Sequence, residues 1–363
     1  MPDSMTEATH DQSPESDPLR DSAFMKACRG EPTPYTPIWL MRQAGRYQPE
    51  YRAVRDKVSF IELCERPDLA AEVTIFAVES LGVDAAIIFA DLLPILQPMG
   101  LKLEYVKGDG PVIHNPITCR ADIDALKDVS VPEDVEPTLE AIRRTRRGLP
   151  GNIPLLGFAG APFTLAAYAI EGGKSREFVK IKSFMYSEPE AFKALLEHLS
   201  RSVTQYLLAQ IEAGVQAVQI FDSWVGSLSP LDYAEYAAPH TRSIIAGLPK
   251  DIPVIHFGTA TGGLLPTIST LGASVIGMDF RISLEEARKI IGSRPFMGNL
   301  DPITLLADRS VFQGRAQQIL ESVGNTPGHI FNLGHGVLPS TPPENARALV
   351  DFVHEFSAAL RAG

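Results

Sequence analysis

Short apolar runs alternate regularly with longer segments of helical spacing along this chain, and this alternation constrains the fold more than any other feature. Eight runs follow one another, at residues 37–41, 84–89, 153–158, 217–221, 253–257, 274–279, 295–300 and 329–333. They are continuously apolar, as is typical of parallel strands buried on both faces. Eight such strands joined by helices predict an α/β protein, a (β/α)8 TIM barrel.

The segments between the runs carry the start and stop signals of helices. Residues 66–81 have Pro67 at a position that suits a first helical turn, and Gly82 follows the segment directly. Glycine readily adopts the left-handed conformation that ends many helices. The same final glycine follows two further predicted helices, at residues 189–213 and 284–291.

One stretch interrupts this alternation. Residues 101–113 alternate in character around a Gly-Asp-Gly turn, which predicts a β-hairpin inserted after the second strand. An open doubly wound sheet is the main alternative to a barrel. The first run is not followed by the glycine-rich motif of dinucleotide-binding sheets, so nothing in the sequence supports that alternative.

The first 22 residues of the chain differ in composition from the rest. Residues 1–22 are polar and acidic and lack both the apolar stretch of a secretory signal and the basic character of a transit peptide. We predict a disordered acidic tail at 1–22 and a single barrel domain at 23–363. Hydrophobic residues make up 45% of the chain and charged residues 21%, as in ordinary globular proteins.

The net charge limits the kinds of partner, and the cysteines indicate the cellular compartment. The net charge of −11 argues against nucleic acid or an anionic membrane as the main partner, and no apolar run is long enough to cross a bilayer. The three cysteines lie far apart without a CxxC pair. They predict a reducing compartment, which we take to be the cytoplasm.

Arginines are concentrated where the first run ends. Arg42, Arg46, Arg52 and Arg55 lie within fourteen residues that contain no lysine. A guanidinium group binds a carboxylate or phosphate through two parallel hydrogen bonds, so the cluster indicates an anion site. The alternative is a solvated helix start whose arginines pair with nearby acids.

Polar residues also follow other predicted strands. In a barrel, the C-terminal ends of all strands meet at one mouth, where catalytic residues collect. Arg42, Asp91, Tyr168, Ser223 and His335 follow the first, second, third, fourth and eighth runs. Each could be a cap, core or loop residue on its own, but their convergence favours a site for a polyanionic ligand. No spacing of histidines, cysteines and acids at these strand ends matches a metal site.

At these residues the chain resembles the uroporphyrinogen decarboxylase family, over about residues 24 to 360. Two stretches carry most of the resemblance, PIWLMRQAGRYQPEYR at 37–52 and GFAGAPFTL at 157–165. Shorter segments at 89–91, 221–223 and 332–336 are similar to further motifs of the family.

The resemblance implies a homodimeric barrel whose two clefts face each other. It implies decarboxylation of the four acetate side chains of uroporphyrinogen III to methyl groups, giving coproporphyrinogen III, with neither a metal nor an organic cofactor. It assigns catalysis to Asp91, Arg42, Tyr168 and His335. By the same resemblance, the substrate-binding residues are Arg42, Gln43, Arg46, Arg55, Phe89, Asp91, Tyr168, Phe221, Ser223 and His335.

Two other functions remain open from the sequence. The same fold hosts methyltransferases that use zinc bound by histidine and cysteine, but Cys28, Cys64 and Cys119 do not follow predicted strands. A non-catalytic porphyrin-binding protein is the second, and it gives no reason for an acid at position 91.

Overall fold

Seven parallel strands form one curved sheet in the computed structural model, which describes residues 17–106 and 109–363. The strands are β1 Ala86–Ile87, β4 Leu155–Gly160, β5 Ala217–Asp222, β6 Val254–Gly258, β7 Val275–Gly277, β8 Phe296–Met297 and β9 His329–Ile330. Within the described residues, they lie side by side in the sheet in this same order. This order confirms seven of the eight predicted strands and the TIM-barrel-like α/β fold.

The first predicted strand, residues 37–41, is reduced to a single parallel bridge between Ile38 and Phe331. The Phe331 N–H donates to the Pro37 carbonyl (2.8 Å), and the Asp84 N–H donates to the Ile38 carbonyl (2.8 Å). The segment therefore lies between the last strand and the first and closes the barrel. A longer ladder does not form, because Pro37 has no N–H and Arg42 turns the chain away with a φ of 63°.

Helices cover the outside of the sheet. In the described part of the chain they are α1 Ala23–Cys28, α2 Pro49–Arg55, α3 Phe60–Glu65, α4 Pro67–Leu81, α5 Arg120–Asp124, α6 Glu136–Gly148, α7 Pro162–Glu171, α8 Val179–Ser187, α9 Pro189–Ala213, α10 Pro230–Asp232, α11 Ala238–Gly247, α12 Leu265–Ile268, α13 Leu284–Ile291, α14 Arg309–Val323 and α15 Pro343–Ala362. Short 3-10 turns lie at Pro94–Leu96, Glu133–Val135, Val225–Ser227, Gly262–Leu264 and Pro302–Leu306, and a π-helical turn lies at Tyr233–Ala237.

The predicted helix boundaries are confirmed to within a residue. α4 begins at Pro67 and ends at Gly82, which has a left-handed φ of 68°. α9 ends in the same way at Gly214, where φ is 114°. The conformational freedom of these glycines is the physical reason that the helices stop there.

The predicted hairpin is also confirmed. β2 Leu103–Val106 pairs antiparallel with β3 Gly110–Ile113, and residues 107 and 108 of its predicted turn lie outside the described residues. The Ile113 N–H donates to the carbonyl of Gly172 at the end of α7 (2.9 Å). The hairpin is therefore attached at the C-terminal end of the helix that follows β4.

Little of the predicted acidic tail can be compared with the structure, since residues 1–16 of that prediction lie outside the described residues. Ser22, its last residue, accepts the Met25 N–H and caps α1. Among the described helices, none combines the length and apolar character needed to cross a membrane.

Candidate active site

Asp91 follows β1 at the mouth of the barrel, and among the described residues only one of its carboxylate oxygens accepts hydrogen bonds. Oδ1 accepts the Leu93 N–H (3.0 Å) and the Tyr105 hydroxyl, whereas Oδ2 has no partner among the residues that the structure describes. Burial raises the pKa of Asp91. The bonds from Tyr105 and Leu93 and the charge of Arg42 favour the ionised form and oppose that rise. The result is a half-buried acid with one oxygen free to accept a hydrogen bond.

Tyr105 comes from strand β2 of the inserted hairpin. Its ring lies 4.9 Å from the Phe60 ring between centroids, and Phe60 lies 6.0 Å from Phe89. Burial raises the pKa of Tyr105, and the neighbouring Asp91 carboxylate raises it further. The hydroxyl therefore stays protonated and donates to Asp91. The three rings pack beside Asp91, and the contact between Phe89 and substrate stays a prediction.

Arg42 lies between Asp91 and the loop that follows β9. A Cβ built on Gly336 would lie 2.4 Å from Arg42 Cδ, so the arginine crosses a position that only glycine leaves open. Its side chain is exposed, and its charge acts on Asp91, Tyr168 and His335. Arg42 therefore lies near three of the residues that were predicted to share a site with it.

Tyr168 is half-buried on α7, with its ring centroid 5.9 Å from that of Trp224. Burial raises the pKa of Tyr168, the Asp91 charge adds to that rise, and the phenol is therefore a neutral hydrogen-bond donor. Ser223 and Trp224 follow β5 and line a cavity of about 240 Å³ together with Arg176 and Phe178.

The loop that carries Ser223 is held by hydrogen bonds to Thr164 and, through it, to Asp222. The Trp224 N–H donates to Thr164 Oγ1 (3.3 Å), and that hydroxyl donates to Asp222 Oδ1 (3.2 Å). Asp222 and His256 are both buried, and Asp222 Oδ2 lies 3.4 Å from His256 Nε2. This buried network holds the ends of β5 and β6 in place beneath the cavity.

His335 is held in one neutral tautomer. Its Nδ1 accepts the Gly336 N–H (2.8 Å), so the neutral ring carries its proton on Nε2. Burial lowers the pKa of His335, and the charges of Arg42 and Arg281 lower it further. At neutral pH this histidine is a hydrogen-bond donor through Nε2 rather than an imidazolium acid.

Gln43 is not brought into the cleft. Its side chain is buried, its oxygen accepts the Leu40 N–H (3.2 Å) and its nitrogen donates to the Ala85 carbonyl (3.2 Å). The nitrogen therefore joins this turn to the residue before β1, and the oxygen binds within the closing segment. Both side-chain atoms are used inside the protein, and contact between Gln43 and substrate stays a prediction.

The other arginines of the cluster divide into two kinds. Arg46 is exposed on the turn after the closing segment, and Arg52 shapes that turn by donating to the Arg46 and Tyr47 carbonyls (2.9 Å each). The Arg55 guanidinium donates to the Val58 carbonyl and lies 5.8 Å from the centroid of the Phe60 ring. Arg46 is thus open to solvent, while Arg55 is partly committed to its own loop.

Phe221 lies at the end of β5 and is half-buried. Its ring lies 5.5 Å from Phe158 and 6.1 Å from Phe257 between centroids. It contributes to the aromatic floor between β4 and β6.

Arg281 was not among the predicted residues, but its charge helps to lower the pKa of His335. Its Nη1 lies 2.6 Å from Oδ2 of the buried Asp279, its guanidinium lies 4.4 Å from the Phe280 ring centroid, and its charge acts on His335. The segment 279–281 ends the sixth predicted strand, so the strand-end rule that singled out Asp91 could have identified Arg281. Tyr105 had no such signal, because the hairpin lies outside the barrel pattern.

The model of the family described as "Uroporphyrinogen decarboxylase (URO-D)" matches residues 19–356 of this chain. The chain belongs to the uroporphyrinogen decarboxylase family. The uroporphyrinogen decarboxylase of Carboxydothermus hydrogenoformans is 49% identical over 340 residues, covering 93% of this chain and 97% of its own length. That of Chloroflexus aurantiacus is 52% identical over 344 residues, covering 93% and 96%.

Solved structures support the fold of this uroporphyrinogen decarboxylase family member. A methyltransferase from Methanosarcina mazei superposes with a TM-score of 0.74 at 20% identity, covering 92% of this chain and 98% of its own. A B12-independent methionine synthase from Shewanella sp. W3-18-1 gives a TM-score of 0.57 at 12% identity, with 84% and 92% covered. At these identities the likeness concerns the fold alone.

The cysteines of this family member lie in different surroundings. Cys28 and Cys64 are buried, which raises the pKa of both thiols, and Cys119 is exposed beside the hairpin. Within residues 17–106 and 109–363, no three histidine, cysteine or acidic side chains group together as metal ligands would.

Proposed function

We propose that this chain decarboxylates uroporphyrinogen III to coproporphyrinogen III in tetrapyrrole biosynthesis, using only its own side chains. The single observation that carries the proposal is Oδ2 of Asp91, which has no partner among the described residues and lies near Arg42, whose charge also acts on Tyr168 and His335. One acid at the centre and cationic or neutral donors around it suit a ligand that is cationic at its core and anionic at its periphery.

The reaction needs this distribution of charge. An acetate on a pyrrole loses carbon dioxide only when the ring accepts the electron pair, so a ring carbon beside the acetate is first protonated. The resulting cation is neutralised when carbon dioxide leaves, and a second proton converts the exocyclic carbon to a methyl group. The ring carbon then loses the first proton, which restores the aromatic pyrrole, so each cycle consumes one proton net. Repetition at the other three acetates gives four molecules of carbon dioxide.

Asp91 is assigned to stabilise the cation by accepting pyrrole N–H groups on Oδ2. A unit charge about 4 Å away in an effective dielectric of about 20 contributes at most about 4 kcal/mol, or roughly a thousandfold in rate. The bonds on Oδ1 hold the carboxylate in place before the cation forms, so little reorganisation is needed during the reaction.

The remaining predicted residues are assigned to the carboxylates. Arg42 orients the departing acetate, and Arg46 binds a carboxylate from the exposed rim. Arg42 does not act as the proton donor, since a guanidinium group is not deprotonated in proteins. Tyr168, Ser223 and the Nε2–H of His335 donate further hydrogen bonds to substrate carboxylates. Supporting walls come from Arg55, Phe89 and Phe221.

We also propose that residues 23–363 act as one cytoplasmic domain that forms a homodimer with its clefts facing. Leu231 on α10 is 82% exposed, and Val179 on α8, which follows the cavity-lining Phe178, is 63% exposed. Such exposed large apolar side chains suit contact with a second copy. Sedimentation velocity should give a dimer for the native chain and a monomer for Leu231→Asp, and an unchanged dimer would contradict this interface.

The activity is tested with the purified chain and uroporphyrinogen III under anaerobic conditions. We expect four equivalents of carbon dioxide per porphyrinogen, with coproporphyrin identified by chromatography after oxidation. Addition of a metal chelator should leave the rate unchanged. A folded chain that binds the porphyrinogen without releasing carbon dioxide would contradict the proposal and favour a binding protein.

A further inference from the structure

We propose that Tyr105 is a positioning residue that fixes the Asp91 carboxylate for catalysis, which makes the inserted hairpin a functional part of the site. The inference rests on the proposed decarboxylase activity and adds a residue from outside the barrel. Its basis is the hydrogen bond from the Tyr105 hydroxyl to Asp91 Oδ1.

Two donors share one oxygen of Asp91. The Leu93 N–H comes from the same loop, whereas the Tyr105 hydroxyl reaches Oδ1 from a separate element. Together they prevent the carboxylate from rotating and leave Oδ2 as the acceptor for substrate. Without the hydroxyl, the Leu93 N–H alone would allow the two oxygens to exchange roles.

Tyr105 is itself held on both sides. Its backbone pairs with Pro111 across the hairpin, and its ring lies 4.9 Å from the Phe60 ring between centroids. The hairpin is anchored to α7 through the Ile113 N–H and the Gly172 carbonyl (2.9 Å). Since α7 also carries Tyr168, the hairpin and a predicted substrate contact share one support.

The groups that act on Asp91 come from several elements, and they are Arg42, Cys64, Tyr105, Tyr168 and Tyr206. Burial raises the pKa of the Cys64 thiol and of the three phenols, that of Tyr206 to about 12. In the acid range only Asp91 among them changes charge, so its ionisation is expected to set the acid limb of the activity profile.

The decisive variant is Tyr105→Phe, which keeps the ring against Phe60 and removes only the hydroxyl. We expect the acid limb of kcat to move to higher pH, because the ionised carboxylate loses a hydrogen bond. At pH 6 kcat should fall about tenfold, as is typical of losing a hydrogen bond to a charged group, with a smaller loss at pH 8 and little change in KM.

A matched control is available elsewhere in the chain. The Tyr35 hydroxyl donates to Asp84 Oδ1 (2.9 Å), which is the same kind of bond at the opposite end of β1. Tyr35→Phe should lower the thermal midpoint and leave the pH profile unchanged. A merely structural role for Tyr105 would give this same pattern in Tyr105→Phe.

Incorporation of 3-fluorotyrosine at position 105 tests for a shift of the acid limb in the opposite direction. It also tests the inference if Tyr105→Phe does not fold. Its more acidic hydroxyl is a stronger donor, so the acid limb should move to lower pH. Profiles that superimpose on that of the native chain would overturn the inference. Absence of carbon dioxide release from the native chain would instead overturn the proposed function, so the two failures are distinguishable.

Discussion

Asp84 and Asp91 bracket strand β1, seven residues apart, and differ in how fully their oxygens are used. Asp84 accepts the Tyr35 hydroxyl (2.9 Å) on Oδ1, and Oδ2 accepts the Ile38 N–H and lies 2.7 Å from His354 Nε2. It joins the closing segment, β1 and α15. Asp91 has both of its bonds on one oxygen. The comparison teaches that an unused acceptor, more than burial or residue type, separates a site acid from a structural one.

Asp279 extends the comparison. It is buried like Asp84, and its oxygens accept the Ala260 and Arg281 N–H groups as well as the Arg281 guanidinium. Both of its oxygens are used, as in Asp84, and it holds Arg281, whose charge acts on His335. An acid at a strand end can therefore keep one oxygen without a partner among the described residues, as Asp91 does, or use both oxygens to hold neighbouring groups.

The largest effect is expected at Asp91. Asp91→Asn removes the charge that stabilises the cationic ring and should lower kcat up to about a thousandfold, measured by carbon dioxide release. Near-native turnover in this variant would show that the charge of Asp91, like that of Asp84, is not needed for the reaction.

The same variant has a pH-dependent effect on stability. Because burial raises the pKa of Asp91, its protonated form favours the folded state, and that contribution is lost as the pH rises through the raised pKa. Asp91→Asn should therefore raise the thermal midpoint at pH 8 and change it less at pH 5. A lower midpoint at pH 8 would show that Asp91 is structural after all.

Arg281→Met should have the next largest effect and sharpens the role given to Asp279. If the Arg281 guanidinium binds a substrate carboxylate, its loss should raise KM about tenfold with a small change in kcat. Arg347→Met is the control, because Arg347 is paired with Asp351 (3.0 Å) on the outer helix α15. Equal KM values for the two variants would place Arg281 outside the substrate contacts.

His335→Gln tests whether Asp91 alone sets the acid limb. A glutamine retains a neutral donor, so kcat/KM should fall only about threefold, and the profile between pH 6 and 8 should keep its shape. The lowered pKa of His335 means that it is already neutral in this range. A limb near pH 6 to 7 that disappears in the variant would show that His335 titrates during turnover.

Asp84→Asn should have the smallest effect on turnover and a clear effect on stability. The amide cannot accept all three donors, so the free energy of unfolding should fall by about 2 kcal/mol in urea denaturation. The kcat of the folded fraction should stay within about twofold of the native value. A large loss of kcat without a loss of stability would reverse the roles of the two acids.

Much of this architecture could be predicted from local pattern. Seven of the predicted strands and the ends of α4, α9 and α13 are found where apolar runs and final glycines placed them. These features depend on neighbours along the chain, which the sequence displays directly. Strand 37–41 was overestimated, because Arg42 turns the chain away from the sheet with a φ of 63°, which the apolar run does not reveal.

The sequence by itself determined which residues follow the strands, and in a parallel barrel this brings Arg42, Asp91, Tyr168 and His335 to one mouth. Only the tertiary structure decided how each one is used. It turned the Gln43 amide inward, crossed Arg42 over Gly336, and placed the Tyr105 hydroxyl on one oxygen of Asp91. Strand ends follow from a backbone repeat, whereas hydrogen-bond partners depend on how separate elements dock, and no local pattern encodes that docking.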